Sequence, residues 1–161
     1  MPLKSEPFEV TIIGKHSILL PLEHIKLFLK KGDTRVKVKA KNNKKEIEIH
    51  AALLKRKDGY YMMFGKRNQE KIGVSKDTTF TIQLFEDTSK YGVEVPEEMD
   101  AVLLTDYEAY KIFESLSAGF KRSLIYAISR YKNSQTRIDK SLILCENLKK
   151  GIQDRGNMLK E

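Results

Sequence analysis

The chain has no tryptophan, one cysteine, four prolines and no long apolar run in its 161 residues. A single cysteine excludes an internal disulfide framework and fits a reducing compartment. Nothing approaches the ~18 consecutive apolar residues that a membrane span requires. The longest candidate, residues 18 to 29, is interrupted by Pro21, Glu23, His24 and Lys26. Met1 to Pro7 is too short and polar for a signal peptide. A soluble cytoplasmic protein without a membrane span is therefore the expectation. Catalytic signatures are missing too. There is no Gly-x-Ser-x-Gly elbow, no glycine loop for phosphate and no His-Glu-x-x-His. His16, His24 and His50 fall on three separate elements, without metal-ligand spacing and without a cysteine cluster. No metal, cofactor or catalytic set is expected, and the chain reads as a non-enzyme.

What is present is charge, and it is unevenly placed. The formal net charge is +8. Residues 1–95 hold 19 Lys and Arg against 12 Asp and Glu, while residues 96–161 hold 11 against 10. Residues 26–45 alone carry nine basic side chains and one acid, Asp33. A basic segment of this kind points to nucleic acid, an anionic surface or an acidic protein.

The first 90 residues alternate as strands do. Phe8, Val10 and Ile12 open one, and His16 to Leu20 can pair back onto it. Pro21 starts a short helix with Leu22, Ile25, Phe28 and Leu29 on its apolar face, and Gly32 ends it. Val36, Val38 and Ala40 alternate with Arg35, Lys37 and Lys39; Ile47, Ile49 and Ala51 alternate with Glu46, Glu48 and His50. Asn42-Asn43 suits the turn between them. Centred there, the hairpin sets Val38 opposite Ile47, Val36 opposite Ile49, Lys39 opposite Glu46 and Lys37 opposite Glu48. Asp58-Gly59 signals a second hairpin, Lys66 to Ile72 a short helix, and Thr78 to Phe85 a last strand. Six or so short strands with two helical insertions read as a small, mostly antiparallel β-barrel over residues 7–90.

Residues 86–94 are polar and read as a linker. After them the period changes. Pro96-Glu97-Glu98 favours a helix start, Thr105-x-x-Glu108 is a capping box, and Ser117 and Ser134 can cap two more helices. Ile138, Leu142, Cys145 and Leu148 give the last helix an apolar stripe, and Gly151 stops it. Gln153 to Glu161 has little to bury and is expected to fray. The fold class is α+β, with three to four helices packed over residues 96–151.

This second half resembles the helical domain of the YdeI/OmpD-associated, or bacteriocin-protection, family. The landmarks are Val95-Pro96, Ala109, Phe113-x-x-Leu116, Ile128, Lys132 and Thr136-Arg137. The first half is similar to the small barrel domain of unknown function that precedes such helices, itself akin to the double-split barrel of AbrB-like regulators. Its landmarks are Arg35-Val36, Gly59-Tyr60 to Lys66-Arg67, Ile72-Gly73 and Asp77. Lys76 stands where that domain usually has glycine. The resemblance implies a bacterial source and a role in bacteriocin or stress protection.

Several residues stand out as candidates. Lys26, Lys30, Lys31, Lys41, Lys44 and Lys45 can neutralise phosphates, or they are solvated edge and turn lysines that oppose strand aggregation. Lys55-Arg56-Lys57 with Tyr60, Tyr61, Phe64, Lys66 and Arg67 sets aromatics among basics, as single-stranded nucleic acid sites do; equally, one face of that strand is core. Cys145 is a nucleophile only if a base activates it, and its place on an apolar stripe suits a small hydrophobe. Arg137, by resemblance, binds an acidic partner or ties the last helix to Asp139 or to the barrel. Three readings follow in order. They are a non-enzymatic protein of the resembled family, a nucleic-acid-binding or regulatory module using Lys30, Lys31, Lys41, Lys44, Lys45, Lys66 and Arg67, and an enzyme with an unrecognised site.

Overall fold

Alternation governs the first unit of the computed structural model, which describes residues 2–161. Seven strands and two helices follow one another: β1 (Phe8–Val10), β2 (Ser17–Leu20), α1 (Leu22–Lys31), β3 (Arg35–Asn42), β4 (Lys45–Ala52), β5 (Leu54–Arg56), β6 (Gly59–Met63), α2 (Lys66–Ile72) and β7 (Phe80–Glu86). They form two antiparallel sheets, ordered β1-β7-β3-β4 and β2-β6-β5. The ladders of the described residues do not close into the expected barrel. β2 pairs with β6 along its whole length, and a single bridge joins its Ser17 to Ile13, in the segment after β1.

β3 lies between β4 and β7, so its alternation is strict. Val36, Val38 and Ala40 are wholly buried against Ile82 and Leu84 of β7, Met62 of β6 and Ile25 and Phe28 of α1. Each large side chain so buried contributes ~1.5–3 kcal/mol. Glycine ends α1 as expected: Gly32 takes φ 90°, and the amides of Gly32 and Asp33 bond to the carbonyls of Leu29 and Phe28 at 3.0 Å each. That left-handed position is one a Cβ disfavours. Leu22, placed on the apolar face by its spacing, is 59% exposed.

The β3–β4 register differs from the expected one by two residues. Val38 faces Ile49, Ala40 faces Ile47, Lys39 faces Glu48 and Lys41 faces Glu46. The two-residue turn is Asn43-Lys44, with Asn43 at φ 57°. A slip of two keeps every side chain on its face, so the core residues are those expected while the partners change.

The second unit, Ser89–Glu161, contains α3 (Glu97–Thr105), α4 (Tyr107–Ser115), α5 (Ala118–Ser129), α6 (Ser134–Lys149) and a 3-10 turn at Arg155–Asn157. Its core gathers Met99, Ala109, Phe113, Ile125, Ile128 and Leu144. The segment read as a polar linker contributes to it: Val93 is buried, and Tyr91 meets Phe113 edge-on at 5.7 Å. Ser117 caps α5 as expected, accepting from the Phe120 amide at 3.2 Å. Two other caps shift by one residue. Asp106 and Asn133 accept from Ala109 and Thr136, in place of Thr105 and Ser134. Thr105 turns instead to the Val102 carbonyl.

The expected stripe of α6 holds at Cys145 and Leu148, with Ile138 packed against the core, and departs at Leu142. Leu142 is 49% exposed, while Ser141, Leu144, Cys145 and Leu148 are buried. Serine can occupy the core here because its hydroxyl donates to the Arg137 carbonyl at 2.7 Å. The terminal segment does not fray as expected. Met158 is wholly buried, and the Asn147 amide nitrogen donates to the carbonyls of Asn157, Met158 and Lys160 at 3.2, 2.8 and 2.9 Å.

Candidate functional site

The basic segment does not form one patch. Lys30 and Lys31 end α1, where the negative pole of the helix favours cations. Lys31 pairs with Glu86. That contact holds the Glu86 carboxyl below the usual range and raises the Lys31 ammonium. Lys41, Lys44 and Lys45 sit at the far end of β3, roughly 25 Å along an eight-residue strand. Between the two groups, Lys37 reaches Glu48 at 3.8 Å and Lys39 lies 5.9 Å over the Phe85 ring. Along the outer face of this sheet, Lys39 and Lys41 stand opposite Glu48 and Glu46 while Lys37 stands opposite His50, so two glutamates offset part of the charge of β3.

The hairpin tip has a tertiary tie that its sequence does not announce. Asn42 donates to the carbonyls of Ile72 and Gly73 at 2.8 and 3.4 Å, at the end of α2. Lys45 Nζ stands 3.7 Å from where a Gly73 Cβ would lie. The last turn of α2 carries Lys71. Lys44, Lys45 and Lys71, remote in sequence, thus share one end of the unit. Lys66 and Arg67 begin the same helix, about 10 Å away along its axis. No carboxylate among the described residues forms an ion pair with Lys30, Lys41, Lys44, Lys45, Lys66 or Arg67.

The aromatic-basic cluster is divided between core and surface. Phe64 is wholly buried against Phe80, with ring centroids 5.5 Å apart. Tyr61 is half-buried, donates to Asp58 at 2.9 Å and carries the Arg56 guanidinium 5.2 Å over its ring. Tyr61, Leu19 and Met63 share the outer face of the three-stranded sheet, so that face offers one aromatic ring rather than a stacking platform.

Cys145 lies in the core, and burial pushes its thiol up to about 11. That is the opposite of activation. The histidines stay apart. His24 stacks on Phe8 at 3.9 Å, and His50 bonds to Asp87 at 2.7 Å with both side chains nearly buried. This last pair fixes the chain as it leaves β7. No group of three metal-ligating side chains occurs among the described residues.

Arg137 acts inside the helical unit. Its Nε donates to the Tyr131 carbonyl at 2.6 Å, one Nη to the Ser129 carbonyl at 3.2 Å, and the other approaches Glu98 at 3.6 Å. It closes the α5–α6 turn and joins α6 to the start of α3; Asp139 instead accepts from Gln135. Beside it, Ala101, Val102 and Thr105 of α3 and Ile138 of α6 border a groove of about 420 Å³ with Glu97 and Glu98 at one end. A second cluster binds the segment before α3 to α4. Tyr91 donates to Glu114, Lys90 to Tyr110, and Lys121 lies 5.6 Å over the Tyr91 ring. Burial, then the Glu114 bond, raises the Tyr91 hydroxyl. Neither the groove nor this cluster has a linear motif; both need helices adjacent in space.

Residues 92–151 match the family model described as "Bacteriocin-protection, YdeI or OmpD-Associated". The match lies within the helical unit, and the first unit lies outside it. No curated protein and no solved structure matches the chain.

Proposed function

We propose that this chain is a non-enzymatic cytoplasmic protein of the YdeI/OmpD-associated type that holds a partner rather than turning over a substrate. Protection against bacteriocins or stress is the role suggested by the family description. The observation that carries this reading is the match of residues 92–151 to that family. Two features support a binding role. Lys90, Tyr91, Glu114, Asp106 and Lys149, whose ionisation is shifted, bond to one another or to Tyr110. The one thiol is buried and raised. Protection is the test. In a strain lacking the protein, the bacteriocin dose that kills half the cells should rise in proportion to the amount of protein restored. It should be unchanged by Cys145→Ala. Protection that persists at far less than one protein per bacteriocin molecule would indicate turnover and overturn the reading.

A second reading, nucleic-acid binding, is favoured by one observation. The Asn42 bonds to α2 bring Lys44 and Lys45 to the end of the helix that carries Lys71. Binding there would be sequence-independent, since lysines on phosphates carry no base information. Replacing Lys41, Lys44 and Lys45 by glutamine should reduce the log–log salt slope on duplex DNA by about 3 units. An unchanged slope, or no binding at low salt, rules this reading out.

A further inference from the structure

We infer that the outer face of the β2-β6-β5 sheet is a peripheral contact for an anionic lipid bilayer, a role separate from the family match, which lies outside this unit. Strand pairing builds that face in two rows. Ile18 pairs with Met62 and both are wholly buried, so the positions on either side of them turn outward. Ser17 pairs with Met63 on one side and bridges Ile13 on the other. Two residues along, Leu19 pairs with Tyr61, which pairs with Leu54. Paired residues share a face, so Ile13, Met63, Leu19, Tyr61 and Leu54 make one continuous apolar surface. Ile13, Leu19 and Met63 are 43%, 40% and 47% exposed in the whole chain. Single exposed apolar side chains are ordinary, whereas a contiguous set marks a contact surface.

Cations frame both ends of these rows. Arg56 lies on the same face, two residues from Leu54, with its guanidinium 5.2 Å over the Tyr61 ring, and Lys57 follows in the turn. At the other end Lys15 sits in the turn between Ile13 and Ser17. The start of α2, with Lys66 and Arg67, lies beside it: the Gln69 side chain donates to the Lys15 carbonyl at 2.9 Å, and the Phe64 amide to the His16 carbonyl at 2.6 Å. None of these five cations forms an ion pair among the described residues. The carboxylate of the β5–β6 turn, Asp58, takes the Tyr61 hydroxyl. Charge and chemistry together select the occupant. A second copy set face to face would bring cations against cations. A specific protein partner is held by directional hydrogen bonds as well as by area, yet the ring hydroxyl of this face is already committed, and Ser17 is the other polar side chain of the two rows. A lipid surface needs only apolar side chains that reach the acyl boundary, a ring at headgroup level and Lys or Arg toward the phosphates.

The probes are vesicles of phosphatidylcholine alone and of phosphatidylcholine with phosphatidylglycerol, sedimented with the full-length chain. The chain should bind the mixed vesicles, weaken with salt and leave the neutral ones largely free. Leu19→Gln with Met63→Gln, both at exposed positions, should lower partitioning by about tenfold. Replacing Lys15, Arg56 and Lys57 by glutamine should lower it by at least about tenfold, and by more than the equal change of charge at Lys41, Lys44 and Lys45. Circular dichroism checks folding. A dye reports the contact even if the apolar variant unfolds. An environment-sensitive fluorophore on Met63→Cys should shift to the blue on mixed vesicles, with buried Cys145 left unlabelled; the same dye on Glu48→Cys, in the other sheet, should not shift. No binding to the mixed vesicles overturns the inference and leaves the face to an acidic protein. Equal losses from the two triple replacements, or an unshifted dye at position 63, overturn it as well, since the contact would then be charge alone or lie elsewhere.

Discussion

Asn147 is the residue on which the terminal segment depends. It is 3% exposed, on the last turns of α6, and its amide nitrogen meets three carbonyls of residues 157, 158 and 160. Two N–H groups serve three acceptors, so the set amounts to two hydrogen bonds of full strength. At ~0.5–1.5 kcal/mol net for each, their loss in Asn147→Ala costs about 1–3 kcal/mol. The Asn157 and Lys160 carbonyls belong to exposed residues and can turn to water. The Met158 carbonyl belongs to a wholly buried one, and leaving it unpaired adds ~1–3 kcal/mol if the tail stays in place. The tail can instead detach, which relieves that carbonyl but exposes the Met158 side chain, at ~1.5–3 kcal/mol. Both routes lead to a loss of about 2–6 kcal/mol.

The route taken can be read separately from the loss. Urea unfolding followed by helix signal gives the magnitude, and amide exchange at Met158 to Lys160 reports whether the tail detaches. Asn147→Asp should be worse than alanine at neutral pH, because a carboxylate then faces three carbonyl oxygens. It should recover in acid, where a protonated carboxyl can donate one bond. If Asn147→Ala changes stability by less than about 0.5 kcal/mol, the level of an ordinary surface substitution, and amide exchange in the tail is unaltered, the reasoning is refuted.

Other outcomes follow from the same geometry. Cys145 should react slowly with iodoacetamide at neutral pH in the folded chain and rapidly in denaturant, since burial both shields the thiol and pushes it up to about 11; fast native labelling would revive an activated thiol. The Asp106 carboxyl is held below its ordinary range, first by the Lys149 bond and then by the Ala109 amide. Its contribution is present above the unfolded aspartate value and lost as pH falls through the lower folded one. Protection of the Ala109 amide from exchange should therefore fall on acidification below about pH 4, and Asp106→Asn should flatten that dependence; an unchanged profile in the variant would place the acid sensitivity elsewhere.

Much of the architecture was legible because it rests on period and on local signals. The buried face of β3, the end of α1 at Gly32, the limits of α2 and the change from strands to helices near residue 95 all come from side chains that decide their own neighbourhood. Caps were legible only to within a residue, because Thr105 and Asp106, or Asn133 and Ser134, are adjacent groups of the same chemistry, and helix geometry chooses between them. The stripe on α6 departs from expectation at Leu142 for a related reason. An apolar pattern at Ile138, Leu142 and Cys145 is as helical as the observed one at Ser141, Leu144, Cys145 and Leu148. Only the Ser141 hydroxyl bond within the helix makes the second acceptable in a core. The polar ends of the chain were the least legible. Asn147 and the segment it holds look like surface until they are folded against each other.

The hairpin register shows where local reading stops in principle. Hydrophobic alternation has period two, and so does the alternation of lysine on β3 with glutamate on β4. Any even slip therefore preserves both, and the sum of pairwise preferences is nearly the same with Val38 opposite Ile47 or Ile49. What separates the alternatives lies outside the hairpin. Moving the turn to Asn43-Lys44 puts Asn43 at positive φ, which asparagine accepts. It also pairs Asn42 with Lys45 at the hairpin's end, where the Asn42 amide reaches the carbonyls of Ile72 and Gly73. Those carbonyls end α2 and would otherwise lack a helical donor. Turning at Asn42-Asn43 instead would make Asn42 a turn residue and withdraw it from that contact. A tie across 30 residues thus selects among registers that the strands themselves cannot distinguish, and the same tie brings the Lys44-Lys45 end of the hairpin to the end of α2, whose last turn carries Lys71.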